Sequence, residues 1–494
     1  LYAGMATNTA PAHRWPPAAW PPAIRLLHLL ALTAGLSMTN HFLSNLLWVG
    51  LAILLLAPIG RARPAWAPIF RHAGTVVAAG LLPLLLYLYL PIRAGMQPLL
   101  DWGSPDTWGD FWRHVTVWQF RVYIGQSAGG LGSYVADAFL FAANQFGPWL
   151  GTLLLVPIAA GVVYLWRTDR GVLAATVATA LIDIVYTLNY QIREVVVYYI
   201  PFYMIALWWA GLGIGQGILW ARRLPAGAVL SRAPAAGLAV GALAPLLGLA
   251  LNWGAAGHQN DDTAALYVRN AFKNFAPNAV VETDSWDLVS GAYYLQGVLH
   301  ERPDIAIVDK QLLRYPFYAN YVKRLYPDLV GKIGAQYATF QTLDRNWVDT
   351  GQAAAALPGA FSTVLNGFVD TNLGARPVYL VFTLNDAEEQ DVLGKHQAAL
   401  VPDGYGYRVA AGPNDRGTAD PQFDLHGLIG DRVALDEVAY SVVWIYPQAL
   451  QNIGAYLSAT GQTAEQKQTG ARLQAQAASL AWLAAARDSR PHLR

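Results

Sequence analysis

Apolar residues run through the first 257 positions in long blocks separated by short polar connections. Hydrocarbon offers no water to satisfy a bare backbone, so a crossing segment must be a helix of about 20 apolar residues. Residues 24–59 are almost continuously apolar and predict two short helices, broken near Ser37–His41. Residues 72–92 predict a third helix and 148–166 a fourth, the latter preceded by an amphipathic run from Tyr134 to Phe146. Residues 171–188, 199–220 and 233–253 bring the expectation to about seven. Residues 1–23 form a proline- and tryptophan-rich extension without a signal-peptide pattern, and the chain is expected to begin partway through a longer protein.

Beyond Gly257 the pattern changes. Ala279–Glu282, Ile305–Val308 and Pro377–Phe382 are short β-branched or aromatic runs that predict strands. Helical patterns follow the first two, at Trp286–Leu299 and Pro316–Leu325. Strands alternating with helices predict a soluble α/β domain over 258–435 with a mainly parallel sheet. From 436 to 494 the pattern is helical, and Tyr446–Thr460 with Ala464–Arg487 predicts an antiparallel pair similar to one tetratricopeptide unit. The expected fold class is thus a polytopic helical membrane domain, 24–257, followed by a soluble α/β domain and a C-terminal helical hairpin.

Charge separates the same two halves. Residues 1–257 hold seven acids and fourteen arginines with no lysine, and residues 258–494 hold 25 acids and 19 basic residues. Arginine also predicts orientation, because basic connections stay cytoplasmic. Arg61–Arg71, Arg167–Arg170 and Arg222–Arg232 are basic and alternate with the connections 93–133 and 189–198, which are rich in Trp and Tyr. The latter two, and everything after the last helix, are therefore expected outside the bacterial inner membrane, on its periplasmic side. The chain has no cysteine, which excludes disulfides and thiolate chemistry, and its net charge of +1 offers no nucleic-acid footprint. No metal or cofactor motif is present.

Leu90–Arg121 packs three acids, three arginines, a histidine and four tryptophans into one outward connection. Trp108, Trp112 and Trp118 fit an interfacial belt whatever the function. Arg93 lies just beyond a helix end, where a guanidinium can hold a phosphate bidentately. Asp106 is expected to cap the helix that starts there. Asn40 and His41 sit where two short membrane helices meet. Asp183 is the one acid deep within a predicted span, either a functional group or half of a helix–helix hydrogen bond. Asn189 and Tyr190, Arg193 with Glu194 as a possible mutual pair, and Tyr198 with Tyr199 follow it. Glu282, Asp284 and Asp287 stand at the carboxyl end of a strand, where parallel sheets bind ligands, although Asp284 could equally be an N-cap. The run Gly211–Gly215 suggests close helix packing.

The segment LPIRAGMQPLLDWGSPDTWGDFWRHVTVWQF resembles a bacterial membrane family, DUF2723, whose members are protein O-mannosyltransferase-like. The resemblance rests on Pro91, Arg93, Asp101, Trp102, Gly103, Pro105, Thr107, Trp108, Phe111, Trp112 and His114 in that order. Gly35–His41, Tyr186–Gly213 and Pro277–Asp309 are also similar to it, and the likeness spans about residues 24–325. It implies a GT-C glycosyltransferase that takes a polyprenyl-phosphate sugar and works on the outer face. The family's acidic first loop, which would carry the principal catalytic acid, is not in this sequence and is expected upstream.

This reading predicts transfer of a sugar from a polyprenyl-phosphate donor to an exterior acceptor, with protein O-glycosylation as one form of it. Arg93 would hold the phosphate, Asn40, His41, Asp101, Trp102 and His114 would line the donor site, and Tyr198 would hold lipid or sugar. Asp183 and Asn189 form a candidate intramembrane polar site. The alternative is a non-catalytic subunit that anchors an exterior domain within a larger membrane complex. A transporter using Asp183 as a proton site is disfavoured, since no paired interrupted helices occur in corresponding halves.

Overall fold

The computed structural model describes residues 20–40, 48, 50, 53, 66–124, 148–190, 192, 195–223, 246, 249–250, 253, 262–412, 415, 420–426 and 437–486. His41, Arg193 and Glu194, the run Tyr134–Phe146 and most of the helices expected at 42–59 and 233–253 lie outside these residues. The chain forms two compact units, one of Leu1–Met96 with Ser104–Leu247, the other of Gln97–Gly103 with Gly248–Arg494. One short segment of the connection 93–133, Gln97–Gly103, belongs to the second unit.

The first unit is helical among its described residues. Three helices are long and apolar enough to cross a membrane, His72–Gly95, Arg170–Asn189 and Val197–Ala221, and two shorter apolar helices are Ile24–Met38 and Leu154–Thr168. This is fewer than the seven expected from the sequence. Helix α1 (Trp20–Met38) packs on α2 (Trp66–Leu81) with backbones nearly touching: a Cβ on Gly35 would lie 2.1 Å from the Gly80 carbonyl oxygen. Only glycine permits that approach. Pro83 follows, and the helix tightens into a 3₁₀ stretch, Leu82–Leu88, before α3 (Tyr89–Gly95). Tyr87 Oη donates to the Met38 carbonyl at 2.5 Å.

After α4 (Trp108–Val115) come three long helices, α5 (Pro148–Thr168), α6 (Arg170–Asn189) and α7 (Ile200–Ala221). Helices α5 and α7 cross at two glycines. A Cβ on Gly161 would meet the Trp209 oxygen at 1.9 Å, and one on Gly213 the Pro157 oxygen at 1.9 Å. Of the glycines at 211, 213 and 215, Gly213 alone makes such a contact, and the other two open onto space. Asp169 caps α6 by accepting from the amides of Gly171 and Val172.

The second unit holds a five-stranded sheet in the order β2-β1-β3-β5-β4. Strands β1 (Val280–Thr283), β2 (Ala306–Asp309) and β3 (Val378–Val381) run parallel. An antiparallel hairpin of β4 (Leu400–Asp403) and β5 (Gly406–Val409) extends the sheet beyond β3. The first three strands match the sequence reading to within one residue at each end, and the antiparallel hairpin is an addition to the mainly parallel sheet expected.

Two cores flank the sheet. One face carries α8 (Thr263–Asn274) and α9 (Trp286–Gly297), whose Leu288, Val289, Ala292 and Leu295 pack on Val281, Ile307 and Tyr379. The other carries α10 (Lys310–Leu313), α11 (Pro316–Leu325), α12 (Pro327–Gly331), α13 (Gly334–Thr350), α14 (Leu357–Asn372) and α15 (Ala387–His396). There Val280, Val308, Val378 and Leu380 meet Phe317, Tyr318, Phe340 and Phe368. The crossover from β1 to β2 therefore lies on one face and that from β2 to β3 on the other. Helices α16 (Glu437–Thr460) and α17 (Ala464–Ala486) form the hairpin the sequence predicted, closed at Gly454 and Gly470, where an added Cβ would fall within 2.9 Å of the facing helix.

Candidate functional site

The segment that carries Asp101 and Trp102 is built into the second unit. Residues 97–103 have no helical or strand pattern of their own, and they lie as a strap between α9 and α11. At one end Trp102 stands edge-on to Trp286, the first residue of α9, with ring centroids 5.7 Å apart, and 5.3 Å from Phe317 near the start of α11. At the other end Arg324, in the last turn of α11, donates through Nη2 to the carbonyls of Pro98 and Leu99 at 2.8 and 3.2 Å. Leu99 lies where a side chain at Gly297, the last residue of α9, would have to go: an added Cβ would be 2.1 Å from its Cδ2. Leu100 and Trp102 are partly buried against the larger core. Asp101 sits between these two anchors, half-exposed.

The remaining candidates of the connection 93–133 belong to the first unit. Arg93 is exposed in the last turn of α3, and among the described residues its Nη1 reaches the Met96 sulfur, at 3.7 Å. His114 is half-buried in the last turn of α4. The cap of α4 is Thr107, whose hydroxyl accepts from the Asp110 amide at 3.1 Å, and not Asp106 as expected. Threonine, one residue after Asp106, has the extended backbone an N-cap needs.

The connections 93–133 and 189–198 are joined within the first unit. Ile124, near the end of the described part of 93–133, forms an antiparallel bridge with Tyr190, just after α6. Tyr198 packs on Tyr190 and Tyr186 with ring centroids 5.2 and 6.4 Å away. Asp183, fully buried one turn earlier, accepts from the Phe202 amide at 3.1 Å through Oδ2. It thereby satisfies one of the bare donors in the first turn of α7. Its other oxygen, Oδ1, has no hydrogen-bond partner among the described residues. Asn189 turns away and donates to the Val185 carbonyl of its own helix at 2.7 Å. Asn40 is exposed in the turn after α1. So Asp183, Tyr186, Tyr190 and Tyr198 gather at the α6–α7 turn, and Asn189 is not among them.

A second polar centre lies at the carboxyl ends of β1, β2 and β3. The sheet order makes the junction of β1 and β3 the point where successive crossovers diverge to opposite faces, the usual place for a ligand crevice in such sheets. Asp284, just after β1, spans that junction: its carboxylate accepts from the Thr383 amide and hydroxyl and from the Leu384 amide at 2.8 to 3.1 Å. The cap of α9 is instead Ser285, which accepts from Leu288. Lys310, wholly buried at the end of β2, pairs with Glu389 at 2.7 Å and with Asp386. Glu389 also accepts from the Asn385 amide at 2.7 Å, which ties the loop after β3 to the same lysine.

No family model, characterised protein or solved structure matches this chain. The chemistry of the two centres therefore rests on their geometry alone.

Burial dominates the titration of the second centre. Asp309 caps α10 by accepting from Leu312, yet burial pushes its carboxyl up to about 6. Glu282 shares a face of β1 with Val280 and points into the larger core, where both its oxygens lack a hydrogen-bond partner. Burial, with the charge of Asp370 adding to it, raises its pKa well above the usual carboxylate range. A neutral carboxyl is the form that an apolar surrounding tolerates.

Lys310, Asp386 and Glu389 are absent from the sequence reading. A partial signal existed, since Asp309 and Lys310 directly follow a β-branched run and so occupy a strand's carboxyl end. Their partners lie 76 and 79 residues away in the chain, beyond any local pattern.

Proposed function

We propose that the protein is a multi-span inner-membrane protein of about seven helices whose outward connection and periplasmic α/β domain serve transfer of a sugar from a polyprenyl-phosphate donor to an exterior acceptor. The observation that carries this reading is the strap: the Asp-Trp-Gly segment of the membrane half is a folded part of the C-terminal unit. A loop and a domain that share one fold lie on one side of the bilayer, as the arginine pattern requires. The bridge between Ile124 and Tyr190 supports the same sidedness for the two aromatic connections.

In this chemistry the acceptor hydroxyl attacks the anomeric carbon, and the bond from that carbon to the phosphate oxygen breaks. The acceptor proton passes to a base, and the phosphate leaves with its lipid. Negative charge grows on the phosphate, so a fixed cation near the membrane surface accelerates the step. Arg93 suits that role, being an exposed guanidinium at the end of the apolar span His72–Gly95 with no carboxylate paired to it among the described residues. Asp101, held between two anchored neighbours, is the carboxylate of the strap and suits a hydroxyl of donor or acceptor.

The test is photo-crosslinking of a tritiated polyprenyl-phosphate hexose to the chain in membrane vesicles. Arg93→Ala is expected to reduce labelling at least tenfold with unchanged protein level. Equal labelling of variant and wild type would remove Arg93, and with it the donor-site reading.

One observation favours a second reading, a non-catalytic anchoring subunit: Lys310 is held between the carboxylates of Asp386 and Glu389 inside the second unit, as a scaffold would have it. Co-purification at fixed stoichiometry with other membrane proteins would support it.

A further inference from the structure

Helix α9 is a crossover helix with an apolar outer face. Its sequence, WDLVSGAYYLQG, contains one charged residue, and its inner positions are already buried in the sheet's core. Trp286 and Tyr294 nevertheless stand 47% and 56% exposed on the same side, eight residues apart, and the run continues into Val298 at 59% and Leu299 at 43%. A helix apolar on all sides is ordinarily covered on all sides. The strap extends the surface: Leu99, seated at Gly297, is 48% exposed, and Leu325, beside the arginine that holds it, is 39% exposed.

We propose that this surface, made by Leu99, Tyr294, Val298, Leu299 and Leu325, is a bilayer-docking face of the second unit. Chain length supports the lipid as its occupant. Leu99 is the fourth residue after Gly95, the end of a membrane-length apolar helix. Four extended residues reach ~14 Å at most. The headgroup layer on one side of a bilayer is itself about 5–8 Å thick, so Leu99 is tethered within or just above it. Composition agrees, since tyrosine and tryptophan with lysine and arginine make the usual interfacial set. Charge also agrees: His300, Lys323 and Arg324 are exposed beside the apolar residues, and Glu301, the nearest acid in sequence, is paired with Arg269 at 2.8 Å. Anionic headgroups complement that rim. The inference depends on the membrane character of the chain and not on the sugar-transfer reading.

The absence of cysteine makes the test direct. A single environment-sensitive fluorophore is placed at Val298→Cys in the full chain, reconstituted in nanodiscs that contain anionic phospholipid. Shallow doxyl-labelled phospholipid should quench it at least twofold more than the same probe at Thr342→Cys, an exposed position on α13. Leu299→Cys provides the same reading if the first variant folds poorly. A probe at 298 quenched no more than that at 342 would overturn the proposal. So would self-quenching that requires a second labelled copy and is indifferent to the doxyl lipid.

Discussion

Leu99 fills the space that any side chain at Gly297 would need, although 198 residues separate them and most of the membrane half lies between them in sequence. The contact makes a short stretch of an interhelical connection part of the C-terminal fold. It also explains a glycine in the last turn of a helix without any demand for unusual backbone angles.

Gly297→Val is expected to displace the strap, because a branched side chain collides with Leu99 where a single methyl could be met by rotation of the leucine tip. Hydrogen exchange over Gln97–Gly103 should rise at least tenfold, with the sheet unaffected. Adding Leu99→Ala should restore most of the protection by making room. Unchanged exchange in the single variant would mean that the strap is held by something else.

Lys310 is buried with two carboxylates, and removing one partner of such a group leaves an uncompensated charge. Lys310→Met should destabilise the second unit by about 3–5 kcal/mol, since Glu389 is itself 1% exposed. The double variant with Glu389→Gln should recover most of that loss. Chemical denaturation followed by tryptophan fluorescence measures both, and an additive pair would contradict the assigned pairing.

Asp309 gives a pH signature. Its folded pKa is about 6 against an ordinary 3.8, so the folded state binds the proton more tightly. The stability it contributes is complete below about pH 4 and is lost as pH rises through 6. Asp309→Asn keeps an oxygen for the Leu312 amide and cannot ionise. It should therefore stabilise the unit at pH 7.5 by about 2–3 kcal/mol, with a thermal midpoint higher by several degrees, and the difference should close at pH 4. A lower midpoint at pH 7.5 would show that the carboxylate is favourable there.

Local pattern made some of this legible and left the rest hidden. Pro316–Leu325 was readable end to end, because proline at the first helical position marks its start. The parallel strands were readable as β-branched runs too short for helices. The β4–β5 hairpin carried its own signal in Asp403-Gly404, where Gly404 takes φ of 58°, but Pro402 interrupts the run and masks it. Ser285 and Thr107 were passed over as caps in favour of the acids beside them, since charge attracts notice and backbone angle cannot be seen in sequence. Trp102 read as part of the donor site, and nothing near it in sequence points to Trp286 or Phe317. Contacts of that range are fixed by tertiary packing alone.

The central claim is that the Asp-Trp-Gly connection and the C-terminal body are one folded unit, and a cysteine pair tests it. In a chain free of other cysteines, Leu99→Cys with Gly297→Cys should form a disulfide in native membranes under mild oxidation. The double variant would then migrate differently with and without reductant, and take up no maleimide until reduced. Two thiols that stay free and label independently would contradict the account.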